Sequence, residues 1–476
     1  MTPAPARRRW WPRDGAELAA VTVVAGLVRA AFVAIQGVPR FDPWRHLMLI
    51  RNLRAGLGFT LYAGQAYVWY SPLWHELAAR APAWLEPDAL AAGFSTLVSP
   101  LLYVLVRRTD PGARAPALVA ALVWAVSGPM VAFTCHYGEE ALAVFALAAS
   151  LCLAGADRRV ASALAAGLSL GIALMLRANL APTALLALPL LRTPRRALVL
   201  ALGTALPLAL AWHRNHLAID AAPFVFAWDG LAVQTADFDA LSTLFVQQHP
   251  AVTEALHALH AQVVPHFEWL AGPSGARPAS VAFMASGFAA LALARNPWLA
   301  ASGLLSAGYL VFFDRTLSSH YFRVWLGVFP VFCLAAAELV RRAFARPSRV
   351  ERAGALVLLA GLVLGGAGWL RPAAEIPLAE VTPPEELLRD DAYCVTSGFY
   401  PESLMYRFPE KRFLGLPLRA REFEAFIAVY PECRVVLTKN IGVQGELLDY
   451  LLRSGFRVDG ASTNAYGVHW SVLKRP

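Results

Sequence analysis

The chain has 476 residues, 57% of them hydrophobic and 16% charged, with a mean hydropathy of +0.48, and a soluble domain of that make-up would expose large apolar areas to water. Its net charge of +9 does not mark a nucleic-acid binder, because the basic residues stand in small groups between apolar runs and form no basic stripe. Five cysteines, three of them (Cys135, Cys152 and Cys333) in or beside apolar runs, exclude a disulfide-dense scaffold.

Arg7, Arg8, Arg9 and Arg13 precede an apolar run over 17–36. That run is longer than a secretory h-region and no small-residue cleavage site follows it, so it reads as a first membrane helix. A crossing needs roughly 17 to 25 mostly apolar residues. On that measure about eleven candidates follow one another, near 17–36, 89–106, 115–135, 139–156, 160–176, 178–192, 197–213, 280–294, 297–313, 321–340 and 353–370. With the N-terminus inside, the internal segments carry eighteen arginines, while the short external loops carry only Arg177 and Arg315, which selects that orientation under the positive-inside rule. Arg29, within the first span, is expected to snorkel to lipid head groups.

Three longer segments then lie outside: 37–88, 214–279 and the tail from 371. In the tail, β-rich runs at 393–396, 434–438 and 466–473 alternate with helical patterns at 419–430 and 444–453, after a Pro-containing linker over 372–384. The expected architecture is therefore mainly α, a polytopic membrane module over 1–370 with a small soluble α/β domain over 371–476. Cys394 and Cys433 both open predicted strands, where they either pack or pair outside the membrane.

The first external segment opens with Phe41-Asp42-Pro43-Trp44-Arg45-His46. Asp42 is held at the lipid-water boundary, where partial desolvation raises its basicity, so it can act as a general base or a metal ligand. It is equally placed to N-cap a helix beginning at Pro43, a good first residue. Arg54-Ala55-Gly56-Leu57-Gly58-Phe59 and Tyr70-Ser71-Pro72-Leu73-Trp74 follow. Further on stand Gly138-Glu139-Glu140-Ala141-Leu142, Leu176-Arg177-Ala178-Asn179, Trp212-His213-Arg214-Asn215 and His320-Tyr321-Phe322-Arg323.

Taken in this order, over roughly the first 340 residues, these pieces resemble the GT-C glycosyltransferases, and within them the family 39-like group of protein O-mannosyltransferases and lipid A aminoarabinose transferases. Each piece alone is a weak motif. The sequence departs from the pattern where Pro43 follows Asp42 in place of a second acid, and where His320-Tyr321 replaces Arg-Tyr and leaves Arg323 to supply the charge. The resemblance implies that Asp42 is the catalytic base, that Glu139 or Glu140 is a second acid facing the same cavity, and that His46, Tyr70, Arg177, Arg214, His320, Tyr321 and Arg323 hold substrate.

Chemistry supports part of this independently. A carboxylate at the outer end of a span is costly unless it has a partner, although Glu139 and Glu140 could also cap the fourth helix. Arg177, Arg214 and Arg323 break the pattern of basic residues inside, and a guanidinium suits the grip of a phosphate, whereas any one of them taken singly could snorkel. His249, His257, His260 and His266 share one loop with Glu254, but no metal-binding spacing joins them, and a solvated loop touching the acceptor is the plainer reading. No cofactor is required by these residues, and a divalent metal is compatible with them.

Nucleotide sugars are kept in the cytosol, so an enzyme with outward-facing acids is expected to take its sugar from a polyprenyl-phosphate carrier and pass it, with inversion, to a lipid, polysaccharide or protein acceptor. Three lysines against thirty-nine arginines point to a high-GC bacterial source, hence an inner membrane with the tail in the periplasm. The alternatives are a transporter or flippase for lipid-linked saccharides, which would place charges near mid-membrane, and a non-catalytic partner in envelope polysaccharide assembly.

Overall fold

The computed structural model describes residues 12–35, 43–59, 71–135, 138–156, 159–191, 193–219, 277–313, 326–345, 348–370, 383–390, 392–396, 404, 408, 411–416, 434–438, 443–463 and 469–476. Helices occupy the predicted apolar runs other than 178–192: α1 (Pro12–Ile35), α4 (Pro87–Thr109), α5 (Arg114–Val126), α6 (Gly128–Thr134), α7 (Glu140–Ala154), α8 (Val160–Leu176), α9 (Pro194–Ile219), α10 (Arg277–Ala294), α11 (Pro297–Phe313), α12 (Val328–Ala345) and α13 (Arg349–Leu364). Two more, α2 (Pro43–Arg54) and α3 (Pro72–Arg80), lie in the first long segment. Local signals set several boundaries. Ser71 caps α3, its Oγ accepting from the Leu73 N–H at 3.3 Å with Pro72 next in line, and Ser348 caps α13 by accepting from the Glu351 N–H at 3.4 Å.

Among the described residues three helices are long and apolar enough to cross a membrane, over Asp14–Ile35, Pro87–Thr109 and Pro194–Arg214. The pair α5 and α6, bent by 58°, makes a fourth if it forms one broken span. The remaining apolar helices are shorter, so helix length supports fewer crossings than the eleven apolar runs suggest. The run after Arg177 is not one helix but short turns from Ala178 to Leu191, because Pro182 and Pro189 each remove a backbone donor.

Leu198, Leu202, Leu206 and Leu210 line one side of α9 at i,i+4 spacing, each more than half exposed. Such a stripe belongs against lipid. The opposite side of α9 meets α8 closely through small residues. A Cβ added to Gly171 would lie 2.5 Å from the Thr204 carbonyl oxygen and 2.9 Å from the Pro207 ring, and one added to Gly203 would lie 2.8 Å from the Leu164 carbonyl oxygen. Only glycine lets the two backbones approach that far, the usual way helices pack where no hydrophobic effect drives them together.

Arg29 does not snorkel. It is fully buried, and the reason lies in the break between α5 and α6. Pro129 has no N–H for the carbonyl of Ala125 four residues back, and the interruption at Ser127 frees the carbonyl of Trp124. Arg29 donates from Nη1 to the Ala125 carbonyl at 3.1 Å, from Nη2 to that of Trp124 at 3.2 Å, and from Nε to Ser95 Oγ at 2.6 Å. It is the C-cap of another helix.

The arginine-rich ends of the helices gather on one side of the bundle. Arg107 pairs with Asp14 at 3.0 Å and Arg114 pairs with Glu17, both from α1. Tyr103 donates to Glu17 at 2.5 Å, Arg108 donates to the Cys152 carbonyl at 2.7 Å, and Arg196 donates to that of Ala154 at 2.9 Å. Cys152 and Ala154 end α7, whose fifteen residues span about 22 Å. Glu140, which starts α7, therefore stands at the far end of the bundle.

The tail contributes a mixed five-stranded sheet in the order β2-β1-β3-β5-β4, built from β1 (Ala392–Thr396), β2 (Arg412–Leu416), β3 (Arg434–Thr438), β4 (Arg457–Thr463) and β5 (His469–Lys474), with α14 (Val443–Arg453) before β4. Strands β1, β2 and β3 run parallel, and β5 pairs antiparallel with β3 and β4. Strands β2 and β4 were not legible in the sequence, since their short runs include Gly415 and Gly460 and lack a clean alternation. Cys394 lies in β1, whereas Cys433, its bridge, and the helical pattern at 419–430 lie outside the described residues. Tyr393, Val436, Trp470 and Val472 form one buried cluster with Met48 and Leu49 of α2. Ile50 on the same helix joins the core of the bundle with Trp74 and Ala78 of α3. Helix α2 is thus wedged between sheet and bundle.

Candidate functional site

Four parts of the chain meet at the end of the bundle away from the arginine cluster. The turn before α7 brings Glu139 and Glu140, the end of α8 brings Arg177, and α2 and α3 bring His46 and His75. Both glutamates are buried. Glu139 occupies the N-cap position of α7 but its side chain makes no capping hydrogen bond, so helix capping does not explain it. Instead Arg177 lies against the pair, with its Nη2 on Glu140 and its Nε 3.5 Å from Glu139 Oε1. Arg177 follows directly on the last residue of α8, where the backbone turns extended, and this carries its guanidinium across to α7.

His46 comes into the same corner. A Cβ added to Gly138 would collide with the Glu140 carboxylate and lie 3.3 Å from His46 Nε2, so the glycine marks the point on which carboxylate and imidazole converge. On its other edge His46 Nδ1 is 2.8 Å from His75 Nε2. The two rings are nearly parallel at 16° with centroids 5.0 Å apart, and the short N···N distance makes this an edge-to-edge hydrogen bond. His75 Nδ1 is in turn 3.1 Å from the carbonyl oxygen of Ser71, one helical turn earlier. Phe59 sits 5.0 Å from the His75 ring, and the Arg214 guanidinium lies 5.0 Å over Phe59, a favourable cation-π placement.

Burial pushes the proton affinity of His75 down to about 3 against the favourable hydrogen bond to Ser71, and the positive charges of Arg177 and Arg214 push it further the same way. His75 is therefore neutral throughout the physiological range. Two carboxylates, one arginine held by them, a second arginine on an aromatic face and two linked imidazoles form a buried polar corner in an otherwise apolar bundle.

Of the residues singled out in the sequence, His46, Glu139, Glu140 and Arg177 stand together, with Arg214 linked through Phe59. Asp42, Tyr70, His320, Tyr321 and Arg323 lie outside the described residues, as does the loop with His249, His257, His260 and His266. The chain enters α2 at Pro43, directly after Asp42. It enters α12 through Gly327, where an added Cβ would lie 3.0 Å from the Asn179 carbonyl oxygen, and Thr183 donates to the Gly327 carbonyl at 2.5 Å. His75 was missed because no spacing links it to the other residues, and Phe59 was noted only as the end of the Arg54-to-Phe59 motif. The one available signal was a second histidine on the same external segment as His46. Among the described residues no group of three or more His, Cys, Asp or Glu side chains could hold a metal ion, and the paired glutamates are engaged by Arg177, so this corner by itself does not fit one.

No protein-family model matches the sequence, and no curated protein matches it. Among solved structures the chain is similar to apo ArnT from Cupriavidus metallidurans, with 14% identity over 96% of this chain and 98% of that one and a TM-score of 0.50. It is also similar to ArnT of that organism bound to undecaprenyl phosphate, at 13% identity, 95% and 97% coverage and a TM-score of 0.49. Archaeal oligosaccharyltransferase AglB from Archaeoglobus fulgidus, in complex with an inhibitory peptide and a dolichol-phosphate, is similar at 15% identity over 88% of this chain and 69% of that one, with a TM-score of 0.47. The match to apo ArnT runs the length of both chains at an identity that speaks to fold alone. That likeness in fold agrees with the GT-C fold expected from the ordered motifs.

Proposed function

We propose that this chain is a membrane glycosyltransferase that moves a sugar from a polyprenyl-phosphate donor to a lipid, polysaccharide or protein acceptor on the periplasmic face of a bacterial inner membrane, with inversion at the anomeric carbon. The observation that carries the reading is the buried corner of Glu139, Glu140, Arg177 and His46 at the bundle end opposite the arginine-capped helix ends, on a fold shared with ArnT. The positive-inside rule puts the arginine-rich end in the cytosol and the acidic corner outside. There, nucleotide sugars are absent and a lipid carrier supplies the donor, in keeping with the undecaprenyl phosphate held by ArnT.

In this mechanism Asp42 accepts the proton of the acceptor hydroxyl. The oxygen forms its bond to the anomeric carbon as the bond to the phosphate oxygen breaks, and the phosphate leaves with the electron pair. Arg214 and Arg323 steady the charge that grows on the phosphate, while His46, Tyr70, His320 and Tyr321 bind substrate. Arg177 pairs with Glu139 and Glu140 and offsets one of their two charges, so the acceptor side of the cavity keeps an acid. Residues 371–476 form a periplasmic α/β domain beside it.

The test is sugar transfer by the purified chain in lipid nanodiscs, with radiolabelled polyprenyl-phosphate sugars as donors. Asp42→Asn is expected to insert and fold normally while transfer is abolished. Near-native transfer by that variant removes Asp42 from the chemistry, and failure of the native chain with every donor offered counts against the reading as a whole.

A further inference from the structure

One side of α13 is packed and the other is open, yet both are apolar. Ala355 and Leu362 are buried, and Gly361 sits so near α10 that an added Cβ would strike the Ser286 side chain. The opposite side carries Val350, Leu356, Val357 and Leu364, each at least 66% exposed. Val350, Val357 and Leu364 repeat every seven residues and so share one face. From first to last that stripe climbs about 21 Å, more than the depth of one leaflet of a hydrocarbon core roughly 30 Å thick. An exposed apolar surface of that length belongs against lipid chains.

At the foot of the stripe stand Arg349 and Arg352, both exposed, and Arg349 shares a face with Leu356, seven positions on. The arginines just before them are already committed. Arg341 grips Glu338 with two bonds of 2.7 and 2.6 Å, and Arg342 donates to the same carboxylate at 3.1 Å. Neither Arg349 nor Arg352 has an ion pair among the described residues. Glu351 stands one or two positions from each, spacings at which helical side chains do not face one another. This foot lies on the arginine-bearing side of the bundle, because α12, which leads into α13, ends where the charge of Asp110 beyond α4 still acts on Arg341.

We propose that this face of α13 binds an anionic phospholipid, its phosphate held by Arg349 and Arg352 and its acyl chains laid along Leu356, Val357 and Leu364. Guanidinium groups suit the grip of a phosphate, and basic groups directly beside a membrane helix attract anionic head groups. Charge also decides between occupants. In a twofold contact the same patch meets itself, which would set arginines against arginines and disfavours a second copy of the chain. The assignment does not depend on the glycosyltransferase reading, and the orientation given above puts the lipid in the inner leaflet.

The test is melting of the full chain in nanodiscs of phosphatidylcholine alone, of phosphatidylcholine with phosphatidylglycerol, and of phosphatidylcholine with inorganic phosphate in the buffer. The native protein is expected to melt on the order of 3 °C higher with phosphatidylglycerol and to gain nothing from inorganic phosphate. Arg349→Gln with Arg352→Gln is expected to match the native protein in phosphatidylcholine alone and to lose most of that gain. Its native mass spectra should retain phosphatidylglycerol on the order of tenfold less. Arg341→Gln with Arg342→Gln removes as many charges from a paired site and is expected to keep the gain. A native protein indifferent to phosphatidylglycerol, an undiminished gain in the Arg349 and Arg352 variant, or a matching gain from inorganic phosphate overturns the proposal. So does an equal loss in both double variants, which marks diffuse attraction to the rim, or a native dimer broken by the first of them, which gives the face to a second copy.

Discussion

Arginine does two different jobs at different places in this bundle. Arg29 and Arg196 donate mostly to backbone carbonyls left open where helices end or break, and Arg107 pairs with Asp14 at the rim. Arg177, at the opposite end, faces two adjacent buried carboxylates beside two linked imidazoles. The residue type is the same, and the partners distinguish the roles. Carbonyls ask only for a donor, which is a structural need, whereas convergent acids and imidazoles hold protons and charge in a form a substrate can use.

The contrast can be broken at either end, and the largest effect is expected at the structural one. Arg29→Met leaves the carbonyls of Trp124 and Ala125 without a donor inside the bundle, at a cost of roughly 3 kcal/mol. Thermal melting in detergent should show a matching fall in stability, with transfer lost only in proportion to folded protein. Glu140→Gln should do the reverse. Its amide keeps the shape of the corner and removes the charge, so melting stays near native while transfer falls on the order of a hundredfold. A Glu140→Gln protein that transfers normally but melts early would place the acidic pair with the structural group.

A smaller effect sharpens the comparison through pH. His75 binds a proton in the folded chain only near pH 3, but near 6.5 once unfolded. Between those values the unfolded chain binds more protons, so stability falls as the pH drops below about 6.5. Melting temperatures measured from pH 7.5 to 5 should decline, and the decline should be shallower in His75→Gln. The sheet responds in a different window. Its Asp459 carboxylate is held below the usual range by the hydrogen bond from Lys474, with Arg434 adding to it. The stability it contributes is complete above the ordinary carboxylate range and is lost only as the pH falls through the depressed value. Equal slopes in native and His75→Gln protein would remove the buried imidazole from the acid response.

The helices of the bundle could be read from the sequence because an apolar run of sufficient length has few other fates. Glu139, Glu140, Arg177 and His46 were also visible, as polar groups standing where apolar spans begin or end. Arg29 was misread for a specific reason. A charge inside an apolar run can reach for head groups or satisfy a neighbouring helix, and the second outcome depends on Pro129, a hundred positions further on. His75 was invisible because its meaning arises only when α2 and α3 lie side by side. Strands β2 and β4 escaped notice for a related reason, since pairing across the sheet, more than local pattern, decides where a short strand forms.

The wedge of α2 between sheet and bundle has a mechanical consequence. Met48 and Leu49 are gripped by the sheet two and three residues after His46, and Ile50 anchors the same turn to the bundle. The helix that carries the imidazole is thereby packed against the sheet on one side and the bundle on the other. A chain cut short before residue 371 would not be a smaller version of this protein, but one whose most sensitive side chain had lost its mooring.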